Sequence, residues 1–295
     1  MLATLLKTTR PAFLLLTLVL IALAAALAVY HGHSITPHLV GMVLLGALCA
    51  HAGVNVLNEV HDAASGLDEL TTRTPFSGGS GALQAHPEAR RSAALFGWLL
   101  IAVVVLLGCY FVSLRGWELL PLGLVGLVLV IAYTPLITRL PWLCLIAPGL
   151  GFGPIMLGGA YWVFTGTLTF SVFVVSLVPF LLVNNLLLLN QLPDVEADRQ
   201  VQRNNVITAY GFRTANRIYR GFLVSAFLGL GALLAIEQLP PLVWISFATL
   251  PAAIWLYRGV LRTSTPLKLP PSLLAVNVIL TLGIPALMAI ALLLS

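Results

Sequence analysis

Charged side chains are scarce in this sequence. Only 8% of its 295 residues are Asp, Glu, Lys or Arg, and 59% are hydrophobic, whereas an ordinary soluble domain is about 25% charged. This shortage excludes a water-soluble globular protein, and the mean hydropathy of +1.01 indicates an integral membrane protein. Cysteine is also rare. Cys49, Cys109 and Cys144 lie in separate apolar runs without the spacing of a metal site, which argues against a disulfide scaffold or a cysteine metal centre.

Long apolar runs are abundant, and a membrane-spanning helix needs about 20 mostly apolar residues. Nine segments approach that length, so we predict an all-α membrane protein with nine transmembrane helices in one domain covering residues 1–295. The first run is long enough to span and no clear cleavage site follows it, so we interpret it as a helix rather than a signal peptide. The predicted helices are 12–30, 37–57, 92–113, 117–137, 142–162, 170–190, 219–236, 240–258 and 272–294.

The basic residues favour one orientation of these helices. With the N-terminus in the cytoplasm, all of the 15 lysines and arginines except Arg115 fall on the cytoplasmic side, as the positive-inside rule predicts. This orientation places two long loops, about 58–91 and 191–218, on the cytoplasmic side and the C-terminus on the opposite side. It also accounts for the net charge of +5 without nucleic acid as a partner. The arrangement is compatible with the inner membrane of a prokaryotic cell.

Acidic residues are concentrated in the same two loops. Of the 10 Asp and Glu residues, only Glu88, Glu118 and Glu237 lie outside two short clusters. In each cluster an Asn precedes an Asp by about one helical turn, so the two side chains would share a face of a helix that continued that far. Because the clusters follow helices 2 and 6, they indicate two pseudo-repeated four-helix halves with the ninth helix appended. The pairs are Asn58 with Asp62, and Asn190 with Asp194.

Carboxylates at facing helix ends are suitable ligands for Mg²⁺, which commonly bridges one or two carboxylates to substrate phosphates. Gly66 is expected to break the helix that carries the first cluster, and Pro193 is expected to kink or restart the second. The alternative interpretation is that these acids are ordinary solvated loop residues, but their scarcity elsewhere and their matched spacing argue against it. The predicted metal ligands are Asp62, Asp68, Asp194 and Asp198.

Basic and glycine-rich residues beside the clusters are candidates for binding an anion. Arg199 and Arg203 follow the second cluster and can donate paired hydrogen bonds to phosphate oxygens. Arg73 precedes the segment TPFSGGSG at 74–81, whose free backbone N–H groups can cradle an anion. Such loops are more often simple turns, and this one lacks the GK[ST] ending of a P-loop. Beside the carboxylates, the segment is interpreted as a second wall of a phosphate-binding site.

These residues together resemble the UbiA superfamily of membrane prenyltransferases. The first motif of its naphthoate branch, N-D-x-x-D-x-x-x-x-x-D, is similar to residues 58–68, with Glu59 at the usual Asp position. The second motif, N-x-x-x-D-x-x-x-D-R, is matched by residues 190–199. Further similar stretches extend the resemblance over nearly the whole chain; they are Arg10-Pro11, TPFSGGSG at 74–81, Tyr133-Thr134 and FGPIMLGGAYWVFTG at 152–166.

The resemblance implies an enzyme that uses Mg²⁺ to transfer a polyprenyl group from an isoprenoid diphosphate to an aromatic acceptor in contact with membrane lipid. The acceptor of the naphthoate branch is 1,4-dihydroxy-2-naphthoate, in menaquinone biosynthesis. This sequence departs from that branch because residues 140–150 contain no acidic residue. Other UbiA acceptors therefore stay open: 4-hydroxybenzoate, homogentisate, a chlorophyllide, a haem or a glycerol lipid. A transporter is the alternative of another class, although its functional charges should lie near the bilayer midplane.

The resemblance also implies residue roles. The sequence fixes neither the prenyl chain length nor the oligomeric state. The catalytic set is Asn58, Asp62, Asn190, Asp194 and Asp198; the metal set is Glu59, Asp62, Asp68, Asp194 and Asp198; and the diphosphate set is Arg73, Arg199 and Arg203.

Other polar and aromatic residues have two interpretations each. His61 could contact the acceptor or stand by at the helix end, and the other five histidines are given no role. Three aromatic residues could stabilise a carbocation or simply pack; they are Phe152, Tyr161 and Trp162. Three polar residues at membrane depth could line a cavity or bridge helices; they are Asn184, Asn185 and Asn277.

Overall fold

The computed structural model describes residues 1–71, 78–236, 238–263 and 269–295, and it describes Asp68 without its side chain. Within these ranges the chain is helical and contains no β-strand. The helices are α1 (Leu2–Thr8), α2 (Pro11–Tyr30), α3 (Pro37–Ser65), α4 (Leu67–Leu70), α5 (Ala82–Ala85), α6 (Pro87–Arg115), α7 (Trp117–Ala132), α8 (Pro141–Thr165), α9 (Phe170–Asn190), α10 (Val195–Gln200), α11 (Val206–Ala235), α12 (Pro241–Arg262) and α13 (Pro271–Leu293).

Among the described residues, 8 helices are long and apolar enough to cross a membrane, and α7 is a shorter apolar helix. These 8 helices are α2, α3, α6, α8, α9, α11, α12 and α13. Together with α7 they correspond one to one with the nine segments predicted from the sequence. The prediction of an all-α membrane protein is therefore confirmed.

Two helices extend further into the predicted loops than hydropathy indicated. Helix α3 continues to Ser65, and Gly66 ends it in the left-handed conformation with φ 73°, which glycine adopts at little cost. Helix α11 begins at Val206 and bends at Gly211, whose φ of 81° is not helical. The side chain of Asn205 caps this helix by accepting hydrogen bonds from Ile207 N and Thr208 N. Both extensions are polar, so a search for apolar runs does not find them.

Helix packing brings both extensions to one end of the bundle, called the site end below. Helix α3 packs along α6, α9 packs along α11, and α2 packs along α13. Helices α3 and α9 both terminate at the site end, where α10 and the start of α11 also lie. A contact between Arg203, which precedes α11, and Asp62 on α3 joins the two parts. The two acidic clusters therefore meet across the bundle.

The three asparagines at membrane depth bridge helices. Asn185 Nδ2 donates to Tyr219 O, Tyr219 Oη donates to Asn277 Oδ1, and Asn277 Nδ2 donates to Asn185 O. This ring of hydrogen bonds ties α9, α11 and α13 together. Asn184 Oδ1 accepts from Gly149 N at 2.6 Å and so connects α9 to α8. Of the two interpretations of these asparagines, the structure shows the bridging one.

Arg115 lies at the opposite end of the bundle and has a structural partner there. Its Nε donates to Val163 O at 2.6 Å and its Nη2 donates to Phe164 O at 3.0 Å. These carbonyls belong to the last turn of α8, whose partial negative charge favours a cation. The single basic residue that the orientation rule placed on the far side thus caps a helix.

Candidate active site

A cavity of about 1090 Å³ lies inside the bundle and reaches the site end. Most of its wall is apolar and comes from α3, α6, α7 and α8. Its polar lining at the site end includes Asn58, Asp62, Asn190, Asp194, Asp198, Arg203 and Asn205. All five residues of the predicted catalytic set therefore line one cavity. The shape offers a charged head group and a long hydrocarbon tail separate surroundings.

The first cluster lies on an uninterrupted helix. Asn58 and Asp62 are one turn apart on α3, so both face the cavity as the spacing predicted. Asn58 Nδ2 donates to Thr134 Oγ1 at 3.2 Å, which ties α3 to the chain that follows α7. Asp62 is buried, and its Oδ1 contacts Arg203 Nη2.

The second cluster lies on broken backbone. Helix α9 ends at Asn190, and a fresh helix, α10, begins after Asp194, which stands at its N-cap. Pro193 lies in the turn between them, so the predicted restart is confirmed. Asp198 N donates to Asp194 O at 2.8 Å, which closes the first turn of α10. Asn190 and Asp194 therefore reach the same cavity from two helices instead of one.

Arg203 joins the two clusters. Its guanidinium contacts Asp62 and lies 3.8 Å from Asp198 Oδ1. Asn205 Nδ2 donates to Asp198 Oδ2 at 2.8 Å, so this buried carboxylate is held from both sides. Sequence reasoning gave no site role to Asn205 or Thr134. The signal for Asn205 was its position as an Asn directly before a helix, which is typical of an N-cap.

Buried oxygens at this end fit a bound cation. Asn190 Oδ1 and Asp194 Oδ1 are buried and have no hydrogen-bond partner among the described residues, and an orphaned buried oxygen is costly unless a donor or cation satisfies it. Burial raises the pKa of Asp194 to about 6 and that of Asp198 to about 7, although Arg203 opposes both shifts. A cation among these carboxyl groups would favour their ionised forms.

The protein alone does not supply a complete cage of acidic ligands. Within the described part of the chain, no three His, Cys, Asp or Glu side chains cluster closely enough to hold an ion. Mg²⁺ normally keeps several waters and takes one or two carboxylates plus substrate phosphates. The residues present therefore fit a magnesium ion that is bound together with a phosphorylated substrate.

The profile of the UbiA prenyltransferase family matches residues 18–292. This chain belongs to the UbiA prenyltransferase family. It is therefore a membrane-embedded prenyltransferase, as its sequence motifs implied. A curated relative is the 1,4-dihydroxy-2-naphthoate octaprenyltransferase of Bacillus subtilis (strain 168), 22% identical over 270 residues that cover 88% of this chain and 83% of the relative.

Solved structures of other UbiA homologues share the fold. A UbiA homologue from Archaeoglobus fulgidus bound to GPP and Mg²⁺ has a TM-score of 0.71 at 14% identity, covering 99% of this chain and 100% of that one. The apo structure of a UbiA homologue from Aeropyrum pernix K1 has a TM-score of 0.73 at 14% identity, covering 96% and 98%. The expectation that the family uses Mg²⁺ is confirmed by the first of these.

In this UbiA-family chain, Glu59 points away from the cavity. It is fully buried, lies 2.8 Å from the Arg10 guanidinium, and accepts from Ser80 N at 2.6 Å and Ser80 Oγ at 2.7 Å. These partners use both carboxylate oxygens. The structure thus gives Glu59 a role in anchoring the segment around Ser80 to α3, and its prediction as a metal ligand gains no support.

Four further candidates lie outside the observed cavity or outside the described residues. Arg199 is about half exposed and donates to Glu196 Oε1 at 2.8 Å on the outer surface of α10. Arg73 lies outside the described residues, as does the side chain of Asp68. His61 is not among the cavity-lining residues.

The apolar part of the cavity contains one of the three predicted aromatic candidates. Phe152 lines it, as does Tyr133. Tyr161 is buried elsewhere and forms a 2.8 Å hydrogen bond with His31 Nδ1. A histidine that sequence reasoning left without a role, His51, also lines this part.

Proposed function

We propose that this protein transfers a polyprenyl group from an isoprenoid diphosphate to 1,4-dihydroxy-2-naphthoate in menaquinone biosynthesis, with Mg²⁺ as cofactor. The observation that carries the proposal is the division of the cavity into a carboxylate-rich head and a long apolar body. A diphosphate with its metal matches the head, and an isoprenoid chain matches the body. Burial of the chain against apolar walls is favourable in proportion to its area.

The residues at the head have complementary roles. Asp194 and Asp198, with Asn190 beside them, would hold a magnesium ion from one side of the cavity, and Asp62, next to Asn58, would hold it from the other. Arg203 lies between them, where its guanidinium can donate to diphosphate oxygens. Magnesium, when bound, offsets the negative charge that develops on the departing diphosphate.

Bond changes in this transfer are simple to balance. The C–O bond between the allylic carbon and the diphosphate breaks, and pyrophosphate leaves with the electron pair. The ring carbon that carries the carboxylate forms a C–C bond to the allylic carbon, its bond to the carboxylate breaks, and the electron pair of that bond restores the aromatic ring as carbon dioxide leaves. Phe152 and Tyr133 present aromatic surface in the same cavity, where a cation-like carbon would be attracted to their π-electrons.

The choice of acceptor is supported by the Bacillus subtilis relative, which is named for this acceptor at 22% identity. Residues 140–150 belong largely to α8, and Cys144, Ala147 and Pro148 of this stretch line the cavity without a carboxylate. This departure keeps 4-hydroxybenzoate as the competing acceptor in the test. For the topology, we propose that the site end faces the cytoplasm of a prokaryotic cell, because the basic residues favour that orientation.

The decisive experiment measures product formation by purified protein in detergent. Labelled prenyl diphosphate and Mg²⁺ are supplied with dihydroxynaphthoate or hydroxybenzoate in parallel, with Asp194→Asn as the control. The expected result is a prenylated naphthoquinol with release of carbon dioxide, absent from the variant and abolished by a chelator. Product with hydroxybenzoate alone would overturn the acceptor assignment. Absence of both transfer and Mg²⁺-dependent donor binding would overturn the enzyme proposal.

A further inference from the structure

His51 is a polar residue in the apolar body of the cavity. It lies on α3, is buried to 7% exposure and lines the cavity. Seven residues separate it from Asn58, so the two side chains lie on nearly the same face of the helix, about 10 Å apart along its axis. His51 is therefore too deep to reach the diphosphate group held at the head.

The imidazole of His51 is fixed in orientation. Its Nδ1 forms a 2.9 Å hydrogen bond with Thr17 Oγ1 on α2. Its ring packs edge-to-face on Phe152, with ring centroids 4.7 Å apart. One nitrogen and one ring edge are thus committed to the protein, and the remaining nitrogen, Nε2, has no partner among the described residues.

A nitrogen without a protein partner on a residue that lines the cavity is open to a polar group of a bound substrate. A hydrocarbon chain that covered this nitrogen would leave it without a hydrogen bond, which costs free energy. An aromatic acceptor has hydroxyl groups that can form a hydrogen bond with this nitrogen. In 1,4-dihydroxy-2-naphthoate, the ring carbon that is prenylated adjoins one hydroxyl, and the other hydroxyl lies across the same ring.

We propose that His51 Nε2 forms a hydrogen bond with the acceptor hydroxyl that is not adjacent to the prenylated carbon. This makes His51 a specificity-determining residue, with Thr17 as the residue that positions it. The inference rests on the proposed function. It also explains how a site without an acidic residue in α8 can distinguish a dihydroxy acceptor from one with a single hydroxyl beside the reacting carbon.

The test exploits the two nitrogens of histidine. A Gln side chain can place its amide where Nε2 was, and an Asn side chain can place its amide where Nδ1 was. His51→Gln and His51→Asn are compared with wild type, and Thr17→Val removes the partner of Nδ1. For each protein, kcat and KM are measured with dihydroxynaphthoate, with 1-hydroxy-2-naphthoate, and separately for the prenyl diphosphate.

The expected result is a split between the two substrates. His51→Asn raises the KM for dihydroxynaphthoate about tenfold, the effect of losing one good hydrogen bond, and leaves the KM for prenyl diphosphate within about twofold. It also abolishes the preference for dihydroxynaphthoate over the monohydroxy analogue. His51→Gln retains that preference, and Thr17→Val weakens it while leaving Nε2 present.

Several outcomes would overturn the inference. If His51→Asn keeps the wild-type preference, or if it affects both acceptors equally, His51 does not contact the acceptor. If the KM for prenyl diphosphate rises instead, His51 contacts the chain. If active wild type shows no preference between the two acceptors, this inference fails and the proposed function stands. If wild type prenylates no aromatic acceptor, the proposed function fails with it.

Discussion

The two Asn-x-x-x-Asp clusters share one spacing in the sequence but differ in backbone and in partners. In the first, a continuous helix carries both residues, Asn58 donates to Thr134, and Asp62 contacts Arg203. In the second, the helix stops at Asn190, and one oxygen of Asn190 and one of Asp194 have no partner among the described residues. The same spacing of Asn and Asp therefore gives two clusters with different backbone and different hydrogen-bond partners. The first cluster contacts protein partners through Asn58 and Asp62, and the second retains open oxygens for a cation.

The largest effect is expected at the second cluster. Asp194→Asn removes a negative ligand without changing its size, and kcat/KM should fall about a hundredfold or more, because loss of one group that stabilises developing charge has effects of that order. Activity is measured over a titration of Mg²⁺. Glu196→Gln is the matched control, since that carboxylate lies in the same short helix but is exposed. Equal losses in both variants would show that α10 is sensitive to any change, and would remove the evidence for a metal site.

Arg203→Ala tests the connection between the clusters. The variant loses the cation that bridges Asp62 and Asp198 and that is proposed to meet the diphosphate, so the Kd of the donor should rise between about tenfold and a hundredfold. Arg203→Lys should recover part of the affinity, because it keeps the charge but loses the paired donors. Binding of a labelled prenyl diphosphate at saturating Mg²⁺ measures both. Unchanged affinity in the alanine variant would confine Arg203 to a structural role.

Glu59→Gln tests whether Glu59 stabilises the fold, in contrast to Asp62 of the same cluster, which is the proposed metal ligand. The substitution leaves Arg10 without its buried ionic partner, which should lower the free energy of unfolding by about 3 kcal/mol. The thermal midpoint in detergent should fall, while the Mg²⁺ concentration for half-maximal activity stays the same. Glu88→Gln is the control because Glu88 is exposed. An increase in the Mg²⁺ requirement without loss of stability would instead support the sequence-based prediction that Glu59 is a metal ligand.

Sequence reasoning reached the fold and the core of the site for identifiable reasons. Spanning helices need long apolar runs, and such runs are visible without tertiary information. Asp62, Asp194 and Asp198 stood out because acids are rare elsewhere. The role of Glu59 was hidden, because its partners Arg10 and Ser80 lie far from it along the chain and only packing brings them together.

His51 and the start of α11 show the same limit. A histidine inside an apolar run has no local signal for what it faces, since the cavity is formed by several helices. The first turns of α11 contain Arg213 and Arg217, so they resemble a loop in hydropathy although they are helical on either side of Gly211 and follow the Asn205 cap. Residues whose role depends on neighbours far along the chain are those that spacing does not reveal.

Substitution of the asparagine in each cluster should distinguish a role in metal binding from a role in stability. Asn190→Ala removes an open oxygen, so the Mg²⁺ concentration for half-maximal activity should rise severalfold while the thermal midpoint changes little. Asn58→Ala loses its hydrogen bond to Thr134, which should cost about 1 kcal/mol of stability. Titration of Mg²⁺ and thermal unfolding are measured on both variants. The reverse pattern, with stability lost at Asn190 and Mg²⁺ dependence changed at Asn58, would exchange the roles assigned to the two clusters.

The smallest effect is expected at Arg199, which follows the second cluster directly in the sequence but lies on the exposed side of α10. Because its ion pair with Glu196 is solvent-exposed, and such pairs contribute between about 0 and 1 kcal/mol, Arg199→Ala should change kcat/KM and the KM for prenyl diphosphate by less than about twofold. The comparison with Arg203→Ala is direct, since the two arginines are four residues apart in the sequence but only Arg203 lines the cavity. A rise of more than about tenfold in the KM for the donor would show that Arg199 contacts the phosphates, which requires α10 to rotate towards the cavity when the donor binds.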